Sequence, residues 1–465
     1  MTSPSAARSS GACPSSARSP IQPSAGARSV QAGRHRPGTD GPAGAGDASG
    51  GPAGDGGEAG DTAGPVGPAG GARQPAVGVC SGRPPRKPGT PGAADRGGAD
   101  GDADQGAADP AVADSFPAGP AVDDLVAEVR GELGAARASL AGVARRTRVV
   151  ADLELQGLAG VPVWLKCEHE QHTRSFKLRG AYHRIARAGA EARARGVVAA
   201  SAGNHAQGVA FAAARFGVEA TIFVPQGANP VKVARTRRWG ARVEYAPGGV
   251  DVALASAAAY AAEGDRLLVH PFDDPAVIAG QGTIGLELLE QVPDMSTVLV
   301  GVGGGGLVCG IAAAIRAHRP DVRIVGVQAA AAPAFAASLR AGRLLRVPPG
   351  TAGGGPNGEA GGGGRSGTIA DGMAVARPGR LTFTLASRLV DEVVTVDEEA
   401  FWEAMVLLWR AGHQVEPAGA AGVAALLRAP QLAQGPTVAV LSGGNLDPAV
   451  ASRVTALAAA PAAVG

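Results

Sequence analysis

From residue 161 to residue 441 the chain repeats one pattern. A short, uninterrupted apolar run is followed by a turn of glycine or small polar residues, then in most cases by an alanine-rich stretch of helical length. The apolar runs are Val161–Leu165, Val197–Ser201, Ala220–Val224, Arg242–Tyr245, Leu267–Val269, Thr297–Val302, Arg323–Gln328, Glu392–Val396 and Thr437–Leu441. Several are apolar at nearly every position rather than at every second one, which suits a parallel strand covered on both faces. The pattern predicts an α/β architecture of doubly wound open sheets, and such sheets place ligands beyond the carboxyl ends of their strands. Ahead of it, the spacing of Leu125, Val126, Val129 and Leu133 predicts a helix over Val122–Arg137.

The first 115 residues cannot join such a core. After Met1 their only large aliphatic residues are Ile21, Val30, Val66, Val77, Val79 and Val112, with no Leu, Phe, Tyr or Trp. Ordering a residue costs roughly 1–2 kcal/mol, and a segment this poor in apolar surface has nothing to offset it. Residues 1–120 are therefore expected to be a disordered Gly/Ala/Pro-rich tail, and 459–465 a short second one. The Arg- and Ser-rich start, with no acid before Asp40, faintly resembles an organelle transit peptide, but one biased composition runs through the whole tail and favours a plain solvated segment. The run Pro348 to Gly367 interrupts the βα alternation and reads as a flexible insertion.

A formal net charge of +2 gives no reason to expect nucleic acid as a partner. No apolar run approaches the roughly 20 residues of a membrane span. Cys13, Cys80, Cys167 and Cys309 show neither metal-ligand spacing nor a disulfide framework, so a cytoplasmic, reducing setting is expected and no metal.

Four segments carry chemistry. Lys177 follows the strand Val161–Leu165 within Gln171-His-Thr-Arg-Ser-Phe-Lys-Leu-Arg-Gly-Ala181, framed by Ser175, Phe176 and Gly180. A lysine that captures an aldehyde cofactor needs a fixed stem, an apolar neighbour and close backbone approach. In the second segment a strand ends at Ser201, Gly203 permits a tight turn, and a helix is expected from about Ala206. Amides at that helix start suit a carboxylate, with Asn204 and His205 delivered into the cleft. In the third, Gly303, Gly304, Gly305, Gly306 and Leu307 link the strand Thr297–Val302 to an apolar helix, the geometry of a phosphate cradle. The run Gly361–Gly364 has no such flanks. The third segment also fits Gly301-x-Gly303-x-x-Gly306, but a dinucleotide site wants an acid at the end of the next strand, and that strand ends at Gln328. In the fourth, a strand ends at Ser442 before Gly443 and Gly444, where a hydroxyl can meet a ring nitrogen.

An amine, an anion cradle and polar groups for a ring and a carboxylate describe pyridoxal phosphate. With His270–Gly285, Thr368–Gly372 and Glu416–Ala420, these segments resemble the serine/threonine dehydratase family of pyridoxal-phosphate enzymes, fold type II, over about Val122 to Val450. Within that family the chain is most similar to threonine dehydratases (threonine ammonia-lyases). The resemblance implies two doubly wound lobes with the cofactor in the cleft between them. Residues 121–198 and 277–458 would form the larger lobe, with the insertion 348–367, and residues 199–276 the smaller. It implies Lys177 as the Schiff-base lysine, Phe176 against the cofactor ring, Asn204 on its phenolic oxygen, Gly303–Leu307 on its phosphate and Ser442 on its nitrogen. Ser201, Ala202, Gly203, Asn204 and His205 would bind the substrate carboxylate. The implied reaction is β-elimination of L-threonine, and of L-serine, to a 2-keto acid and ammonia. A homo-oligomer, dimer or tetramer, is also implied.

Four departures bear on these expectations. Arg174 stands where many members carry glycine. Ala202 replaces the second serine of eukaryotic-type serine racemases, and no acid follows Gln328 where those racemases ligate a metal, so racemisation is disfavoured. Only Leu446 to Gly465 follow Asn445, so a C-terminal regulatory module and feedback through it are not expected. Racemisation or 3-hydroxyaspartate dehydration on the same scaffold remain the alternatives, and outside catalysis a nucleotide- or cofactor-binding protein without turnover.

Overall fold

The computed structural model describes residues 120–350 and 367–460. The rest of the expected tails and insertion, with Cys13 and Cys80, lies outside the described residues. The described strands are β1 (Val149–Ala151), β2 (Val163–Lys166), β3 (Val197–Ala200), β4 (Ala220–Pro225), β5 (Arg242–Ala246), β6 (Leu267–Leu268), β7 (Thr297–Gly301), β8 (Arg323–Ala329), β9 (Glu392–Val396) and β10 (Thr437–Val440). They make a six-stranded sheet in the order β1-β2-β10-β7-β8-β9 and a four-stranded sheet in the order β5-β4-β3-β6. Every pairing is parallel except β1 against β2. Strands β3 and β10 are buried at every position, as continuous apolar runs require.

Strand β1 was not expected. Three residues are too few for a periodicity, and its place at the sheet edge comes from antiparallel pairing with β2. The expected lobe boundary between residues 198 and 199 cuts through β3, which pairs in parallel with both β4 and β6. The four-stranded unit therefore begins by Val197.

Five of the described helices start where an acid or amide side chain accepts a first-turn backbone N–H, from Asp152, Asn229, Asp274, Asp397 and Asp447. Behind the cleft three helices meet backbone to backbone. A Cβ on Gly180 of helix Lys177–Arg187 would sit 2.6 Å from Val277 O, and one on Gly310 of helix Gly306–Arg316 would sit 2.3 Å from Ile278 O. The shared partner is helix Pro275–Gln291, whose Gly280, Gly282 and Gly285 make the complementary approaches. Gly180 thus serves helix packing rather than a cofactor. No described helix is long and apolar enough to cross a membrane.

Candidate active site

Beyond β2 the chain makes a short turn, Glu168–Glu170, and runs back along the segment after β10. Ser175 bridges to Gly443, and Phe176 N donates to Ser442 O at 3.1 Å. These contacts fix Lys177 as the first residue of helix Lys177–Arg187. Its Nζ donates to Pro271 O at 2.8 Å and lies 5.2 Å from the centre of the Phe176 ring. Burial pushes the amine down to about 8, so the neutral, nucleophilic form is accessible near neutral pH.

The same helix is held from behind by a buried ionic cluster that sequence reading missed. Arg179, 1% exposed, donates to both oxygens of the fully buried Glu168 (2.7 and 2.9 Å) and to Glu287 (2.7 and 3.2 Å). Lys166, also fully buried, reaches Glu287 at 2.5 Å and Gln291 at 2.8 Å. Each buried charge is paired, which is what makes its burial tolerable. Arg174 adopts φ 56°, the left-handed region that favours glycine, and its guanidinium ties Gly444 O (3.0 Å) and Gln414 O (3.2 Å) to this segment.

The glycine loop after β7 could carry no other residue at two positions. A Cβ on Gly304 would lie 2.2 Å from the Phe272 ring, and Gly305 has φ 94° with Phe335 and Thr382 behind it. Thr382 Oγ1 pins the loop by donating to Gly304 O at 2.7 Å. Helix Gly306–Arg316 starts there and turns its first amides and dipole toward the cleft. Gln328, by contrast, is fully buried and its side-chain oxygen accepts from Ala336 N at 3.0 Å, starting a helix rather than facing a ribose.

After β3 the helix begins at Asn204, two residues earlier than expected, with Gly203 as cap. Ser201 Oγ accepts from Gly203 N at 3.1 Å, and the first intrahelical bond is Gln207 N to Gly203 O at 3.3 Å. The preceding amides lie at the helix mouth beside Ala202. Asn204 is oriented by two residues not singled out in the sequence. Its Nδ2 donates to Glu416 Oε1 at 2.5 Å, and its Oδ1 accepts from Asn445 Nδ2 at 2.8 Å, leaving one amide N–H for a ligand. Burial pushes the Glu416 carboxyl up to about 7 against the opposing Asn204 hydrogen bond. His205 is spent on the fold: one ring nitrogen meets Val269 O at 2.9 Å, and burial drives the ring down to about 3, keeping it neutral.

One cavity of about 390 Å³ gathers these groups. Phe176, Lys177, Ser201 to His205, Gly303 to Leu307, Glu416 and Ser442 all line it. The sequence model of the pyridoxal-phosphate dependent enzyme family matches residues 140–443. The chain belongs to that family.

Among relatives of this pyridoxal-phosphate enzyme is the L-threonine ammonia-lyase of Geobacter sulfurreducens, 47% identical over 306 residues, 65% of this chain and 72% of that one. That of Thermotoga maritima is 45% identical over 320 residues, 69% and 76% of the two chains. Among solved structures, a T.th. threonine deaminase aligns with TM-score 0.62 at 40% identity, covering 68% of this chain and 98% of that one. Maize serine racemase aligns with TM-score 0.63 at 31% identity, covering 70% and 96%. The fold is that of fold type II enzymes.

The residues present fit the family's cofactor. The cavity's size lies in the range usual for small-molecule sites. The amine of Lys177, the helix mouth behind obligatory glycines, the Phe176 ring and the Ser442 hydroxyl offer partners for an aldehyde, a phosphate, an aromatic face and a ring nitrogen.

Proposed function

We infer that this protein is a threonine ammonia-lyase, a carbon–nitrogen lyase that eliminates water from L-threonine, and from L-serine, and releases a 2-keto acid and ammonia. The observation that carries the reading is the desolvated Lys177 amine in one cavity with the glycine helix mouth and Ser442, in a chain 45–47% identical to L-threonine ammonia-lyases. Bound pyridoxal phosphate supplies the electron sink for the charge left when Cα loses its proton. Lys177 Nζ would hold the aldehyde, and once displaced by the substrate amine it would be the base for the Cα proton. The amides of Gly303–Leu307 would hold the phosphate, and the neutral Ser442 hydroxyl would meet the ring nitrogen without protonating it. Phe176 would pack against the ring, and the free N–H of Asn204 would serve the phenolic oxygen. The helix mouth at Ser201–His205 binds the substrate carboxylate.

The test is direct. Borohydride should fix the cofactor onto Lys177, and L-threonine should yield 2-oxobutyrate. Full turnover by Lys177→Ala would overturn the assignment. L-threonine, L-serine and 3-hydroxyaspartate run side by side decide substrate preference. Ala202, which lines the cavity without a hydroxyl, supports elimination over racemisation. The buried free thiols Cys167 and Cys309 support a cytoplasmic location, for fractionation to check. A dimer or tetramer is proposed on the family likeness alone, and sedimentation measures it.

A further inference from the structure

Successive glycines of the segment after β10 face opposite ways. A Cβ on Gly443 would meet Glu416 and Asn204 at the cleft, whereas one on Gly444 would meet Arg174 Nη2 at 2.9 Å and the Cβ of His169 at 3.1 Å. On that second side lie Cys167, His169, Glu170 and His413, none of which lines the catalytic cavity. One potential ligand atom from each of the four lies within 4.8 Å of all the others. Cys167, His169 and His413 are buried, and Glu170 is partly so.

The two imidazoles are poorly placed to hydrogen-bond each other and well placed to coordinate, and Cys167 Sγ beside them has, among the described residues, only the long 3.5 Å contact to Leu165 O. The rings of His169 and His413 stand at 85° with a ring nitrogen of each 3.4 Å apart, and the other ring nitrogen of His169 is buried without a partner. Tetrahedral zinc with bonds of about 2.0 Å to nitrogen separates two such ligands by about 3.3 Å. Glu170 Oε1 lies 3.8 Å from His169 Nε2, and Arg148 grips the same carboxylate at 2.6–3.0 Å, holding it from outside as supporting residues hold a ligand. Two surface hollows reach the cluster, one beside His413 and Arg148 and one beside His169 and Glu170.

We propose that Cys167, His169, Glu170 and His413 form a site for a divalent transition-metal ion of zinc type, outside the catalytic cleft. The mix of thiolate, two imidazoles and one carboxylate selects zinc over calcium or magnesium, which take oxygen ligands. On binding, the Cys167 Sγ–H bond breaks, its proton leaves to solvent, and an Sγ–metal bond replaces it, with no change of oxidation state. Spacing concealed the site, because three ligands lie within four residues at the end of β2 and the fourth is more than 240 residues away, after helix Glu398–Arg410. The ion would join those two places directly. The role is structural, because none of the four residues takes part in the proposed elimination.

The test uses the full-length holoenzyme with Cys13→Ser and Cys80→Ser, which removes the tail thiols. Zn²⁺ should bind one ion per subunit and raise the unfolding midpoint. Co²⁺ should give visible bands to the red of the cofactor, with a thiolate charge-transfer band. His413→Asn and Cys167→Ser should each weaken binding by at least ~10-fold, and Cys167→Ser should abolish the thiolate band. Should Cys167→Ser fail to fold, His413→Asn decides alone, with L-threonine turnover as its check of folding. No metal bound, a cobalt spectrum without the thiolate band, or unchanged affinity in His413→Asn overturns the proposal. Absence of L-threonine turnover in the parent holoenzyme with the metal bound would instead count against the proposed function and leave the metal site standing.

Discussion

Replacing Glu416 by Gln removes one titratable group while keeping the oxygen that Asn204 Nδ2 reaches. Burial lifts this carboxyl from 4.5 to about 7. The folded protein therefore holds the proton more tightly than the unfolded chain. The stability this contributes is complete below about pH 4.5 and is lost as pH rises through about 7. At 1.36 kcal/mol per unit the full shift is worth about 3 kcal/mol, and most of it disappears between about pH 5 and pH 8. Urea unfolding of wild type and Glu416→Gln, both freed of cofactor, should show the difference between them moving by that amount toward the variant as pH rises. A difference that stays constant across the range refutes the buried-carboxyl reasoning.

Capture of pyridoxal phosphate by the cofactor-free protein should accelerate with pH up to about 8 and level off above, because only the neutral Lys177 amine attacks. Stopped-flow absorbance would read it, and a flat profile across that range contradicts the desolvated amine. Gly304→Ala should lower cofactor affinity and destabilise the fold by about 1–3 kcal/mol, since its Cβ has the Phe272 ring in its place. A cofactor titration and urea unfolding measure both. Arg179→Met strands the fully buried Glu168 carboxylate, while the partly buried Glu287 keeps Lys166, and should cost about 3–5 kcal/mol. A loss under about 1 kcal/mol by denaturant unfolding would show that the cluster relaxes around the deletion.

The parts of the site that were legible in the sequence are those built from one local stretch. Strand, glycines and helix follow one another from Thr297 to Arg316, and Phe176 adjoins Lys177 in the chain. The parts that stayed hidden join distant stretches. Glu416 and Asn445 orient Asn204 from more than 200 residues away, and only the placement of β10 beside β2 and β7 brings them there. The glycines of helix Pro275–Gln291 stood out as a motif, yet their purpose depends on which helices they face. Arg174 illustrates the converse: its departure from glycine was visible, while the left-handed backbone and the two carbonyls that compensate for it were not.

The arrangement of strands divides labour between the two sheets. Lys177, Ser442 and the glycine loop all hang from the neighbouring strands β2, β10 and β7, whereas the turn after β3 belongs to the other sheet. A hinge movement between the sheets would carry the Ser201–His205 turn, Asn204 included, while Lys177, Ser442 and the glycine loop stay together on one sheet. Most of the proposed anchorage for the vitamin-derived group would then ride on one sheet, and the reactant's carboxylate seat on the other.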